Sequence, residues 1–172
     1  MSGPYLASED SVLLKGVLKT YSGGSALEIG AGNCGNLIVL AQSFETAVGT
    51  DIVMPGMTDW RDSGADFLMA DGASCLRLGS FDLVTFNPPY LPFEVADDPS
   101  TEGGAALEVP MRFLRDALRA VKLTGRIVML LNDQAAIGEF EAECSRHGFR
   151  LAKVATKHMF FEDLSVYEAS AL

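Results

Sequence analysis

The chain has 172 residues, 48% of them apolar, enough for one well-formed core and too few for two ordinary domains, so a single domain is expected. No stretch approaches the roughly 18 consecutive apolar residues of a membrane span, and the amino terminus lacks both a basic start and an apolar signal core, which predicts a soluble, cytoplasmic protein away from membranes. The formal net charge of −10 repels phosphates, which makes nucleic acid an unlikely partner and favours a protein or small-molecule substrate.

Residues 9–20 carry Val12, Leu13, Leu14, Val17 and Leu18 on one side of a helix that follows an acidic start. Residues 25–29 form a short apolar strand that runs into a glycine-rich loop, and residues 36–44 continue as an apolar helix. Further strands are predicted over residues 47–52, 65–70, 81–86 and 125–131, the last preceded by a helix over 106–122. Strands alternating with helices argue for an α/β protein with a mostly parallel sheet covered on both faces. After a helix over 134–146, strands over 149–159 and 164–169 follow each other without a helix between them and should pair antiparallel. The stretch 93–104, with Asp97, Asp98, Pro99 and Ser100, is the loosest in the chain, and a loop of that length in a compact domain is often functional.

Cys34, Cys75 and Cys144 are widely spaced, with no CxxC pair and no histidine close in sequence, so they read as reduced structural thiols and no metal site is expected. Arg112, Arg115, Arg119 and Lys122 recur at helical spacing. They read as a solvated helix face, with a local basic patch as the alternative.

The first chemical cluster is Glu28-Ile29-Gly30-Ala31-Gly32-Asn33-Cys34-Gly35. Glycines at 30, 32 and 35 let the backbone turn sharply out of a strand, approach a nucleotide closely and pack the next helix on the sheet, although a tight structural turn has the same spacing. Asp51 falls at the end of the second strand, about twenty residues on, where a carboxylate can accept both ribose hydroxyls of an adenosine cofactor. Asp71, before Gly72, ends the third strand and can accept from an adenine amino group. A turn or cap role is the bland alternative for each acid. With Glu28 and the glycines, these acids outline a cofactor crevice at the carboxyl ends of neighbouring strands.

The most specific pattern is Asn87-Pro88-Pro89-Tyr90, directly after the fourth strand. Two prolines fix the backbone and remove two amide donors, so the segment ends strand pairing and presents carbonyls. The Asn87 side-chain oxygen and the Pro88 carbonyl can accept both hydrogens of one NH2 group, while Tyr90 can stack on a flat amide or base. An amide or aryl amine nitrogen is a poor nucleophile because its lone pair is delocalised, and holding both hydrogens returns electron density to nitrogen without a strong general base.

These motifs resemble those of class I methyltransferases that modify amide or exocyclic amine nitrogens, and more closely those of the compact HemK-related glutamine methyltransferases of archaeal and eukaryotic translation release factors. The likeness extends to Tyr5-Leu6-Ala7-Ser8-Glu9-Asp10-Ser11, to Gly103-Gly104, and to Glu162-Asp163-Leu164-Ser165-Val166, so it spans nearly the whole chain. Ala7, where the family carries proline, and Ala105-Ala106-Leu107, where it usually carries polar residues, depart from the pattern.

The resemblance implies a Rossmann-like, seven-stranded class I methyltransferase fold in the order 3-2-1-4-5-7-6 and S-adenosyl-L-methionine as cofactor. It implies that Ser11, Glu28, Gly30, Gly32, Asp51, Asp71, Gly72 and Asn87 bind that cofactor. It also implies that Asn87, Pro88, Pro89, Tyr90 and Leu91 hold the target amide, the first four as the catalytic segment, and that the substrate is the Gly-Gly-Gln glutamine of a release factor. Compact relatives use a small zinc-binding activator subunit. Here the third strand, Ala65 to Ala70, is the expected sheet edge, and a connection bearing Met54, Met57 and Trp60 covers it poorly, so the activator is expected to dock there. An adenine-amine methyltransferase, a lysine methyltransferase and a cofactor-binding subunit without turnover are the competing readings.

Overall fold

The computed structural model describes residues 9–56, 59–88, 104–132, 136–158 and 163–172. The elements run α1 (Glu9–Leu18), β1 (Gly23–Ile29), α2 (Gly35–Ala41), β2 (Phe44–Asp51), α3 (Asp59–Asp62), β3 (Asp66–Met69), β4 (Phe81–Phe86), α4 (Gly104–Ala120), β5 (Val121–Asn132), α5 (Ile137–Arg146), β6 (Phe149–His158) and β7 (Asp163–Ala171). The strands form one seven-stranded sheet in the order β3-β2-β1-β4-β5-β7-β6, as expected. β7 alone is antiparallel to its neighbours, inserted between β5 and β6.

The two faces of the sheet explain why its central strands read as continuous apolar runs. Side chains alternate across a strand, so a strand covered on both sides favours apolar residues at nearly every position. Leu27 and Ile29, Val84 and Phe86, and Ile127, Met129 and Leu131 pack with Phe113, Leu114, Ala117 and Phe140 of α4 and α5. The intervening Ala26, Leu83, Val128 and Leu130 pack with Leu14, Leu18, Leu37 and Leu40 of α1 and α2. Among the described residues no helix is long and apolar enough to cross a membrane.

Several boundaries differ from the sequence reading. α1 ends at Leu18, and Tyr21 beyond it donates its hydroxyl to Glu168 of β7 at 2.6 Å. Val12 is 56% exposed while Leu14 and Leu18 are buried, so the buried stripe is narrower than the apolar one. α2 stops at Ala41 and Phe44 opens β2, because the short helix runs straight into a strand without a glycine or proline to mark the change. α3 is a single turn within the connection between β2 and β3. Gln134, residues 93–103, Met159 at the end of the strand expected over 149–159, and residues 160–162 between the two terminal strands lie outside the described residues; Gly104 is the first residue of α4. All three cysteines are free, but Cys75 is exposed, which corrects its reading as a structural thiol.

β5 starts at Val121 instead of Gly125, with its register against β4 shifted between the Phe81 and Leu83 pairings. Gly125 sits inside this irregularity. A Cβ there would lie 2.7 Å from Val121 Cγ2, 2.9 Å from the Asp82 carbonyl oxygen and 3.0 Å from that of Phe81. Two of those neighbours are backbone and cannot swing aside, so Gly125→Ala is expected to lower stability by about 1 to 3 kcal/mol. Chemical denaturation should show this as a lower midpoint with an unchanged slope.

Candidate functional site

The sheet changes winding direction between β1 and β4, which leaves a crevice at their carboxyl ends, the usual ligand position in open α/β sheets. Ile29 and Phe86 are register partners, so the loop beginning at Gly30 and the segment beginning at Asn87 leave the sheet side by side. β2 and β3 continue the row, bringing Asp51 and Asp71 to the same end.

Gly30 and Ala31 donate their amides to the Thr50 carbonyl at 2.8 and 2.9 Å, binding the loop to β2. Gly30 adopts φ 71°, and a Cβ there would lie 2.9 Å from the Phe113 ring, so both conformation and space require glycine. Gly32, at φ 51°, has open space where a side chain would stand, which leaves its backbone approachable. Cys34 also adopts a left-handed conformation, φ 61°, as the residue preceding α2. Its thiol is buried, and burial pushes it up to about 11, with the carboxyls of Glu28 and Asp51 adding to the effect.

Glu28 is 2% exposed in the middle of the sheet, on the side that faces α2. Asn36 Nδ2 donates to its Oε1 at 2.8 Å, while Oε2 is shielded from solvent and makes no hydrogen bond of acceptable geometry. Burial pushes this carboxyl up to about 8; the Asn36 bond, the Leu37 amide and the charge of Lys15 oppose the shift, and Asp51 adds to it. Lys15 reaches from α1 to the loop: its Nζ lies 2.5 Å from where a Gly35 Cβ would stand.

Asp51 is half-buried and already employed. Its Oδ2 accepts from Gly32 N at 2.8 Å and its Oδ1 from Val53 N at 3.0 Å. Each carboxylate oxygen still has acceptor capacity after one bond, so the residue shapes the loop and can serve a ligand as well. Asp71 is likewise not free: Arg112 Nη1 donates to its Oδ2 at 2.6 Å. Gly72 follows at φ 66°, and the next amide, Ala73 N, donates to Asp116 Oδ2 at 2.9 Å.

Asn87 is half-buried with its side-chain oxygen shielded from solvent, and Pro88 is buried. Ser11 lies in α1, half-buried. Pro89, Tyr90 and Leu91 lie outside the described residues. The structure therefore gathers Glu28, Gly30, Gly32, Asp51, Asp71, Gly72, Asn87 and Pro88 at one end of four adjacent strands. A buried carboxyl with an unused oxygen, a second carboxylate with spare acceptor capacity, and an open glycine backbone fit a ligand that brings hydroxyl and cationic donors.

Sequence reasoning missed Asn36, Lys15, Arg112, Phe113 and Asp116. Asn36 carried a signal, as the polar residue in the first turn of an otherwise apolar helix. The α4 residues carried only helical spacing; Arg112, Arg115 and Arg119 are exposed, as the solvated-face reading expects, and two of them are also ion-paired. Arg112 pairs with Asp71, and Arg115 with Glu143 at 3.4 Å, Glu143 also accepting from Arg146 at 2.6 Å. These cations are spoken for by carboxylates, which counts against a phosphate-binding patch.

No protein-family model and no curated protein matches the sequence. Solved structures do match. The chain is similar to the E. cuniculi Mtq2–Trm112 complex responsible for methylation of the eRF1 translation termination factor, with a TM-score of 0.75, 24% identity and 98% of each chain covered. It is similar to the T. thermophilus 16S rRNA N2 G1207 methyltransferase RsmC in complex with AdoMet and guanosine, with a TM-score of 0.70 and 19% identity over 100% of this chain and 45% of that one. The ribosomal protein L11 methylase of Lactobacillus delbrueckii matches with a TM-score of 0.65 and 10% identity over 92% and 78% of the two chains. The fold is the Rossmann-like, seven-stranded class I methyltransferase fold.

Proposed function

We propose that this chain is a single-domain, cytoplasmic S-adenosyl-L-methionine-dependent methyltransferase that methylates the side-chain amide of a glutamine, the Gly-Gly-Gln glutamine of a translation release factor. The observation that carries the reading is the placement of Asn87 and Pro88 directly beside the Gly30 loop at the β1/β4 crevice. Solved structures of this fold include a complex with AdoMet and a complex responsible for methylating a termination factor, which supports the choice of cofactor and of substrate.

When bound, the cofactor supplies an electrophilic methyl group on a sulfonium. The Gly30 and Gly32 backbone admits it closely, Ser11 and Gly72 line its path, and Asp51 and Asp71 accept from its hydroxyl and amino donors. Glu28 presents a buried carboxyl toward its positive charge. Asn87 and the Pro88 carbonyl take the two hydrogens of the substrate amide. Pro89 keeps the segment rigid, and Tyr90 and Leu91 flank the flat amide. No residue needs to act as a strong base before transfer, because the nitrogen attacks with its own lone pair and becomes acidic only once it carries the methyl group, when its proton can pass to water.

Asp51→Ala should weaken cofactor binding by roughly 1.5 to 3 kcal/mol through loss of a charge-assisted acceptor. Asp51→Asn, which can keep one backbone amide of the loop satisfied, should lose less. Calorimetric titration checks both, and an unchanged affinity in folded Asp51→Ala would place the ribose elsewhere.

The activator belongs to the same reading. The sheet has two edges, β3 and β6. β6 carries Arg150, Lys153 and Lys157 and a register shift between Lys153 and Ala155, devices that discourage another strand from pairing. β3 has only Asp66 as a charge, and exposed Leu68 and Met69 lie on the strand paired with β2, beyond which Ile52, Val53 and Met54 are exposed. A small zinc-binding subunit adding a strand at Ala65 to Ala70 would cover this edge, and one similar structure is a complex with a partner, Trm112. Trp60 is partly buried, its ring 5.5 Å from that of Phe67 of β3, so it packs against this edge strand. Met57 lies outside the described residues. Protection of the β3 amides against hydrogen exchange should rise only when the activator is added.

A base-amine reading has one observation in its favour, the likeness to a structure crystallised with guanosine. Incubating the chain and its activator with labelled cofactor and, separately, release factor, nucleic acid and histone decides among the readings. Label on the release factor alone supports the proposal, and label on nucleic acid or histone alone refutes the glutamine assignment.

A further inference from the structure

One turn of α4 does more than cover the sheet. Arg112 and Asp116 are four residues apart and therefore share a helix face, with Phe113 beside them. Arg112 Nη1 holds Asp71 Oδ2 at 2.6 Å, and Asp116 Oδ2 accepts the Ala73 amide at 2.9 Å. Asp116 Oδ2 would stand 2.0 Å from a Cβ on Gly72, so the carboxylate occupies the space that any other residue at 72 would need. Phe113 meets Phe86 edge to face at 6.0 Å and lies against Gly30. The same turn thus touches the segments that follow β1 and β3 and the end of β4.

Packing does not require the two charged residues. Met111, Phe113, Leu114, Ala117 and Leu118 already bury the apolar face of this helix. Arg112 and Asp116 instead reach to a loop more than forty residues earlier in the chain and fix its one carboxylate and one of its amides. A loop at a positive-φ glycine has alternative conformations of similar energy, and two tertiary bonds select one of them.

We propose that Asp116 and Arg112 are positioning residues for adenine recognition: Asp116 sets the Gly72–Ala73 backbone and Arg112 sets the Asp71 carboxylate, so that the loop discriminates the exocyclic amine of the base. This rests on the cofactor assignment above. Asp71 and Gly72 touch the base in that reading, while Asp116 and Arg112 act through them. Removing either should therefore lower selectivity for the amine more than it lowers overall binding.

The probe pair is S-adenosylhomocysteine and S-inosylhomocysteine, which differ at the base by an amine against a carbonyl, titrated calorimetrically without any turnover. The wild-type protein should prefer the adenosine compound by about tenfold or more, the usual penalty for a mismatched polar contact. Asp116→Ala and Arg112→Met should bring that ratio close to one, and Asp116→Asn, which keeps an acceptor oxygen for the Ala73 amide, should restore most of it. Arg112 and Asp71 are both substantially exposed, so Arg112→Met keeps the test valid if Asp116→Ala does not fold. A folded variant that binds both compounds more weakly but keeps the wild-type ratio would overturn the proposal. A wild-type protein that binds neither compound would overturn the cofactor assignment itself, and one that binds both equally would overturn the role of the loop in reading the base.

Discussion

Replacing Asn87 with alanine is expected to lower methyl transfer about a hundredfold or more while leaving the fold intact, the usual cost of deleting one well-placed polar group at a transition state. The size follows from where the residue stands. Asn87 is the first residue beyond β4, alongside the loop that starts at Gly30, and its side-chain oxygen is shielded from water. In the proposed reaction it contacts the nitrogen whose electrons must be localised, so the loss should appear in kcat, with a smaller change in the affinity for cofactor. Single-turnover rates with saturating substrate measure this directly. A variant that kept near-normal turnover would mean that the amide is activated by something else.

The second large effect concerns Glu28. An ordinary carboxyl titrates near 4.5, whereas burial holds this one at about 8. Between those values the folded chain keeps a proton that the unfolded chain gives up. Its contribution to stability therefore falls as pH rises from about 4.5 through 8 and is level above that. The groups that face it are Lys15 of α1, Asp51 of β2 and Cys34 of the loop, with Asn36 and the Leu37 amide of α2. Glu28→Gln keeps an acceptor for Asn36 and removes the charge. Melting curves should show the variant close to wild type at pH 5 and clearly more stable at pH 9.

The same group should couple cofactor binding to protons. A cationic ligand near Glu28 favours the ionised carboxylate, so binding at pH 7 should release a proton, and calorimetry in buffers of different ionisation enthalpy should report it for wild type and not for Glu28→Gln. Equal pH profiles for the two proteins would show that Glu28 is ionised in the free protein.

How far the sequence foretold this arrangement depends on the range of the interactions. β4 was legible over its whole length, Phe81–Phe86, because an apolar run ended by two prolines leaves little choice. The strand-end acids and the glycines were legible because their spacing is local to one βαβ unit. β5 is read four residues short because Val121 and Lys122 fit the end of the preceding helix, expected over 106–122, and only pairing with β4 makes Val121 a strand residue. The sequence leaves a ligand role and a turn role open for both Asp51 and Asp71; what it does not show is that Asp51 also accepts from an amide of the preceding glycine loop and Asp71 from an arginine 41 residues away. The narrow burial of α1 had no local sign either, since Val12 is as apolar as the residues that are buried.

The central claim is that the reacting atom is the amide nitrogen of a glutamine, and site-resolved mass spectrometry of a release factor incubated with the chain, its activator and S-adenosyl-L-methionine tests it most directly. The methyl group should be found on the glutamine of the Gly-Gly-Gln segment, in wild-type reactions and at a strongly reduced level with Asn87→Ala. A methyl group found only on lysine, or a release factor left unmodified while an adenine or guanine amine is methylated in the same mixture, would contradict it.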